Sequence, residues 1–192
     1  MKKISTLYKK NPENLGLVIN EVNHENEWVF TDDGVKATQK LDGTACAVIE
    51  GELYKRYDVK KGKQVPEGAI PCQEPDEITG HWPHWIKCDP SDPSNKYHLE
   101  GFNSLMMATN GKRIDGTYEL CGEKVQGNPE DVEGHHLFRH GSIPLDINGH
   151  FQDMDFEMFK NYLAKENIEV IVFHNPDGRM CKLRKSDYGI KR

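Results

Sequence analysis

The 192-residue chain has no apolar run approaching the length of a membrane span, which excludes a helical membrane protein. Cysteine is sparse: Cys46, Cys72, Cys88, Cys121 and Cys181 are five in number, widely spaced, and form no C-x-x-C pair. An odd count without close spacing excludes a disulfide framework and favours a reducing compartment. Apolar residues make up only 36% of the chain and the mean hydropathy is −0.76. They are nevertheless gathered into strand-like runs, which excludes a disordered chain. A surplus of positive charge is also missing. At a net charge of −6 any polyanion must be held by a local cationic site and not by the overall field. The opening Met1-Lys2-Lys3-Ile4-Ser5 is followed by no apolar core. No secretory leader is therefore expected, and a cytoplasmic location is. Internal repeats and low-complexity tracts are absent from the sequence.

What is present reads as many short strands and few helices. Strand-like runs occur at Leu15–Val22 and Trp28–Phe30, then at Val35–Leu41, Ala45–Ile49 and Leu53–Tyr57, with Glu50-Gly51-Glu52 as a hairpin turn. Residues 60–98 are rich in Pro, Gly, Asp and Lys and read as one long irregular segment, the kind of loop that carries function. Gly116–Gly122 and His135–His140 read as strands. Asp153 to Lys165 reads as an amphipathic helix, with Phe156, Phe159 and Leu163 on one face and Asp153 or Asp155 as N-cap. Glu169–Phe173, the turn Asn175-Pro176-Asp177-Gly178, and Met180–Arg184 form a closing hairpin. The sum predicts an α+β fold in a single domain over residues 1–192.

The most informative stretch is Lys40-Leu41-Asp42-Gly43-Thr44, at the end of a predicted strand. A lysine followed by Asp-Gly can present its amine as a nucleophile, provided burial or neighbouring cations free it of its proton. Taken alone, the pattern more often marks a solvated lysine before a turn. Other patches accompany it. Arg56 lies on the next hairpin. Glu119 sits in Tyr118-Glu119-Leu120-Cys121-Gly122. Phe138 and His140 share one strand face. Glu169 opens a β-branched run, and Lys182 and Arg184 stand two apart on the last strand. Together they suit attack on the α-phosphate of a nucleoside triphosphate: cations neutralise phosphate, one carboxylate positions a divalent ion, another grips ribose hydroxyls. Singly, each has a plainer reading as a solvated strand arginine, a loop carboxylate or a basic end. Cys72, His81, His84 and Cys88 follow no common zinc spacing. His81-Trp82-Pro83-His84-Trp85 reads either as a stacking surface for bases or as tryptophans that anchor the long segment.

The order K-x-D-G, strand arginine, Y-E-L-x-G, E-x-I-V-F and K-L-R resembles motifs I, Ia, III/IIIa, IV and V of the ATP-dependent ligase and capping-enzyme superfamily. Ala37-Thr38-Gln39-Lys40-Leu41-Asp42-Gly43-Thr44, Gly80-His81-Trp82, Tyr118-Glu119-Leu120-Cys121-Gly122 and Gly127-Asn128-Pro129 are similar to the eukaryotic and viral 5′–3′ RNA ligase family. The likeness runs from about Asn14 to the C-terminus. It departs from the usual pattern at Glu169-Val170, where Glu-Gly is common, and at Arg184, where a second lysine is common.

The resemblance implies a nucleotidyltransferase (ATP-grasp-like) fold of antiparallel sheets flanked by helices, standing without an OB domain. It implies an ATP-dependent RNA ligase that acts as a monomer on RNA ends bearing a 5′-phosphate and a 3′-hydroxyl, with Mg2+ or Mn2+. Lys40 would carry AMP, and Asp42 and Gly43 would complete motif I. Arg56 would contact phosphate, Glu119 would hold the ribose and Phe138 would stack on adenine. Glu169 would bind metal through water, and Lys182, with Arg184 beside it, would contact the α-phosphate. Glu74 matches a further family position. A guanylyltransferase-type enzyme and a catalytically inactive nucleic-acid-binding module are the alternatives.

Overall fold

Period-two alternation across the predicted strands becomes paired strand in the computed structural model, which describes residues 4–77 and 79–191. The strands of the first half are β1 (Ser5–Thr6), β2 (Tyr8–Asn11), β3 (Asn14–Val22), β4 (Lys36–Lys40), β5 (Thr44–Ile49) and β6 (Glu52–Val59). They are followed by β7 (Ile70–Pro71), β8 (Trp82–Lys87), β9 (Gly116–Gly122), β10 (His135–Arg139), β11 (Val170–His174) and β12 (Met180–Arg184). Helices are α1 (Trp28–Thr31), α2 (Lys96–Ala108) and α3 (Phe156–Lys165). The fold is α+β with mostly antiparallel sheets, as the pattern predicted. The described chain falls into two compact units, the continuous stretch Asp42–His140 and a discontinuous unit made of the residues on either side of it. Among the described residues no helix is long and apolar enough to cross a membrane.

The discontinuous unit is built on a four-stranded sheet of order β1-β12-β11-β4, with β2–β3 as a separate two-stranded ribbon. β1 runs parallel to β12 and the other pairs are antiparallel. Ala37, Ile171, Phe173, Cys181 and Leu183 alternate onto one face and are fully buried with Phe159 and Leu163 of α3. Full burial of such side chains is worth about 1.5–3 kcal/mol each. Asp155 caps α3 by accepting from the Met158 N–H at 2.8 Å, which decides between the two predicted caps. The outer edge of β4 is closed by Asn148, whose side chain accepts from Ala37 N and donates to Ala37 O, at 2.8 and 2.9 Å. Capping an edge in this way removes the row of unpaired amides that invites foreign strands.

The continuous unit is a six-stranded antiparallel sheet of order β10-β9-β5-β6-β8-β7. One face carries Cys46, Val48, Leu53, Tyr118, Leu120 and Leu137, packed with Phe102 of α2. The helix comes close because residue 101 is glycine: a Cβ there would lie 2.5 Å from Leu120 Cδ1.

Two expectations are corrected and one helix went unpredicted. Trp28–Phe30 is not a strand. The Asp32 N–H bonds Trp28 O, closing a helical turn that buries the adjacent Trp28 and Val29 together, which a strand cannot do on one face. Residues 60–98 are not wholly irregular, because β8 runs through them in full register with β6. Pro83 is tolerated there. Its carbonyl accepts from Cys72 N on the side of β7, so its missing N–H also falls on that short edge and spares the β6 ladder. Finally, α2 was not foreseen.

Candidate active site

Two sets of predicted residues are brought onto sheet faces, one in each unit. In the discontinuous unit the register pairs Val170 with both Lys40 and Arg184, and Val172 with both Thr38 and Lys182. Cross-strand partners and i, i+2 residues share a face. Lys40, Thr38, Lys182 and Arg184 therefore lie on the face opposite the buried Ala37, Ile171, Phe173 and Leu183. The β11–β12 register is unbroken from Val170↔Arg184 to His174↔Met180, so Gly178 inserts no bulge and the pleat is not inverted. The half-buried Lys40 donates from Nζ to Leu41 O at 3.1 Å. On the same face, His174 Nε2 lies 2.8 Å from Thr38 Oγ1, and burial holds the His174 imidazole below its usual basicity.

Arg184 and Glu169 are differently placed. The Arg184 guanidinium bonds Asp187, Nη2 to Oδ1 at 2.8 Å, and Lys10 Nζ reaches the same oxygen at 2.6 Å. Asp187 is completely buried. Glu169 stands one residue before β11, where its carbonyl accepts from Lys185 N. Strand alternation does not carry it onto the Lys40 face, yet its Oε2 is buried with no hydrogen-bond partner.

In the continuous unit, Phe138 pairs with Glu119 and Glu119 with Ala45. Tyr54 pairs with Ala47, which puts Arg56, two residues on, on the same face. Glu119 is buried; its Oε1 accepts from Gly43 N–H at 3.1 Å and its Oε2 lies 2.8 Å from His140 Nε2. The Asp42 N–H donates to Glu130 Oε1 at 2.8 Å. Arg56 is exposed and paired with Asp58, Nε to Oδ1 at 3.0 Å. Phe138 is half-buried, its ring 6.2 Å from that of His136, and Glu74 is exposed.

Gly43 is required by close approach. A Cβ there would lie 2.1 Å from the Leu120 carbonyl oxygen and 3.0 Å from Cys121 Sγ. Leu120 O cannot retreat without disturbing the β5–β9 ladder, in which Thr44 pairs with Leu120. Gly43→Ala is expected to destabilise the protein by about 1–3 kcal/mol through overpacking. Urea titration of both proteins checks this, and an unchanged midpoint would refute it.

The remaining candidates settle into structure. Trp82 donates its indole N–H to Gln73 O at 2.7 Å and Trp85 is buried, which favours anchoring over base stacking. Among the described residues no group of three His, Cys, Asp or Glu side chains could hold a metal, so the zinc reading of Cys72, His81, His84 and Cys88 is not supported. The five cysteines are present as thiols. Burial raises the thiols of Cys46 and Cys181, and lifts Cys88 to about 11, which keeps them protonated and poorly nucleophilic.

The sequence reading missed the links among these groups. It placed His140 beside Phe138 without its bond to Glu119, and read Lys182 and Arg184 as phosphate contacts, or more plainly as a basic end, without the Asp187 counter-ion. The i, i+3 spacing of Arg184 and Asp187 was the available signal. For Glu130 there was none, since it reaches Asp42 across 88 residues.

No family model matches the chain. It is similar to RNA ligase 1 of Danio rerio, at 24% identity over 220 aligned positions that span 81% of this chain and 67% of that protein.

Proposed function

We propose that this chain is an ATP-dependent RNA ligase that joins a 5′-phosphate to a 3′-hydroxyl through AMP carried on Lys40. The observation that carries the reading is the sharing of one non-core sheet face by Lys40 and Lys182, in unbroken register. The similarity to a protein named RNA ligase 1 supports the substrate class.

In the first step, the Lys40 amine, having given up its proton, attacks the α-phosphorus of ATP. A phosphorus–nitrogen bond forms and the bond to the departing pyrophosphate breaks. Lys182 neutralises the charge that gathers on the α-phosphate. Glu119 accepts from ribose hydroxyls, Phe138 stacks on adenine and Arg56 meets phosphate. In the second step, a 5′-phosphate oxygen of RNA displaces the lysine amine and takes the AMP. In the third, a 3′-hydroxyl attacks that 5′-phosphorus and AMP leaves. A divalent ion, Mg2+ or Mn2+, supplies charge neutralisation at the phosphates. Glu169, which the resemblance would give to such an ion through water, has a buried Oε2 without a hydrogen-bond partner and stands off the Lys40 face.

Incubation with ATP and a divalent ion is expected to add one AMP to the protein, and Lys40→Ala to abolish the adduct. Intact mass reads both. An equal adduct on Lys40→Ala would remove Lys40 from the chemistry, and labelling by GTP in place of ATP would overturn the nucleotide assignment.

A further inference from the structure

Resting on the ligase reading for its consequence, we infer that His140 is a positioning residue that fixes the Glu119 carboxylate for the nucleotide. His140 directly follows β10, and its backbone N–H donates to Thr117 O at 3.1 Å, extending the β9–β10 ladder by one residue. Its ring is clamped between two residues of β9 that share a face: Nδ1 lies 3.0 Å from Thr117 Oγ1 and Nε2 lies 2.8 Å from Glu119 Oε2. The carboxylate offers no proton, so Nε2 carries one and donates it. The Thr117 hydroxyl donates to a bare Nδ1 or accepts from a protonated one, so the bond to Glu119 survives in either charge state of the ring.

The far oxygen of the same carboxylate is held by the Gly43 N–H at 3.1 Å. Glu119 is thus gripped at both oxygens, by an imidazole from the end of β10 and by an amide of the K-x-D-G turn. The Glu119 side chain is only 7% exposed and that of His140 20%. With the imidazole gone, water cannot readily take its place at a carboxylate so little exposed. The carboxylate then leaves its rotamer and loosens its hold on the Gly43 amide.

The test compares wild type, His140→Ala and His140→Gln. Glutamine places an amide N–H near the position of Nε2. Without ATP, hydrogen exchange of the Gly43 amide by NMR is expected to accelerate about tenfold in His140→Ala and to be largely restored in His140→Gln. With ATP, the KM for adenylation is expected to rise about tenfold in His140→Ala, equivalent to about 1.4 kcal/mol, with kcat within about twofold. Unchanged Gly43 exchange, a fall in kcat at constant KM, or a glutamine variant no better than alanine would each overturn the inference. If wild type forms no AMP adduct, the ligase reading fails, and the Gly43 exchange rates still decide whether His140 positions Glu119. Should His140→Ala not fold, His140→Gln against wild type carries both measurements: near-native values support the inference and alanine-like loosening refutes it.

Discussion

Lys182→Ala is expected to slow single-turnover formation of the enzyme–AMP adduct by about 100- to 1000-fold, or roughly 3–4 kcal/mol of transition-state stabilisation. Lys182 occupies the face of β12 that β11 shares with Lys40, one pleat row away from the Lys40–Val170–Arg184 row. An ammonium there opposes the charge that builds on an α-phosphate under attack from the neighbouring lysine. Removing it takes away an interaction made chiefly in the transition state, so the rate should fall more than ATP affinity. Arg184→Ala is the informative control. It stands two residues on, but its guanidinium is engaged by Asp187, so adenylation should suffer less. Rapid-quench measurement of the adduct in the three proteins decides the matter. Unchanged adduct formation in Lys182→Ala would take β12 out of the site.

Asp187→Ala is expected to cost about 3 kcal/mol of stability, toward the low end for breaking a buried ion cluster. The carboxylate is fully buried and serves Arg184 and Lys10, as well as accepting from the Arg184 N–H at 2.8 Å. Both cations keep some access to water, which moderates the loss. Burial by itself raises the Asp187 carboxyl. The hydrogen bonds from Arg184 and Lys10 outweigh it and hold the group below its ordinary value. The folded state therefore favours the ionised form. That stabilisation is complete above the unfolded aspartate value near pH 4, about as for a free side chain, and is lost as pH falls through the lower folded value. The stability gap between wild type and Asp187→Ala should accordingly be full at neutral pH and narrow below about pH 4. Denaturant titrations across pH check this, and a gap that widens in acid would refute it.

Legibility followed the range of the forces involved. β5–β6 and β11–β12 are hairpins with local turns, so alternation and the Asn-Pro-Asp-Gly signal sufficed to find them. β9 was read to its ends because glycines bound it at Gly116 and Gly122 and Tyr118 and Leu120 alternate with Thr117 and Glu119. α2 escaped because its sequence, KYHLEGFNSLMMA, places glycine and asparagine in the interior and lacks a side-chain cap. Its stability comes from packing on Leu120 and Leu137, which no local pattern announces. Pro83 hid β8 for a similar reason, since its tolerance depends on which neighbour its missing amide would have faced. At the candidate site, residue types were readable but partnerships were not. Whether Lys182 faced with Lys40 turned on one residue of register, and that Glu119 lies beside Phe138 depends on a pairing across the loop of residues 123–134.

The discontinuous sheet also imposes an order of events on the newly made chain. Asp42–His140 is contiguous and can fold as it emerges, whereas β4 has no sheet partner until β11 has been synthesised. The separation between Lys40 and Val170 is about 130 residues, and at ribosomal rates of about 5–20 residues per second that is roughly 6–26 seconds. Throughout that interval the strand bearing the candidate nucleophile lacks its β11 partner, although residues 143–148 can already pair with its other edge. β1 waits longer still, since Ser5 and Thr6 pair with Cys181 and Lys182 near the far end of the sequence. The sheet face shared by Lys40 and Lys182 is consequently a late product of translation, complete only after β12 has been made and paired with β11 and β1.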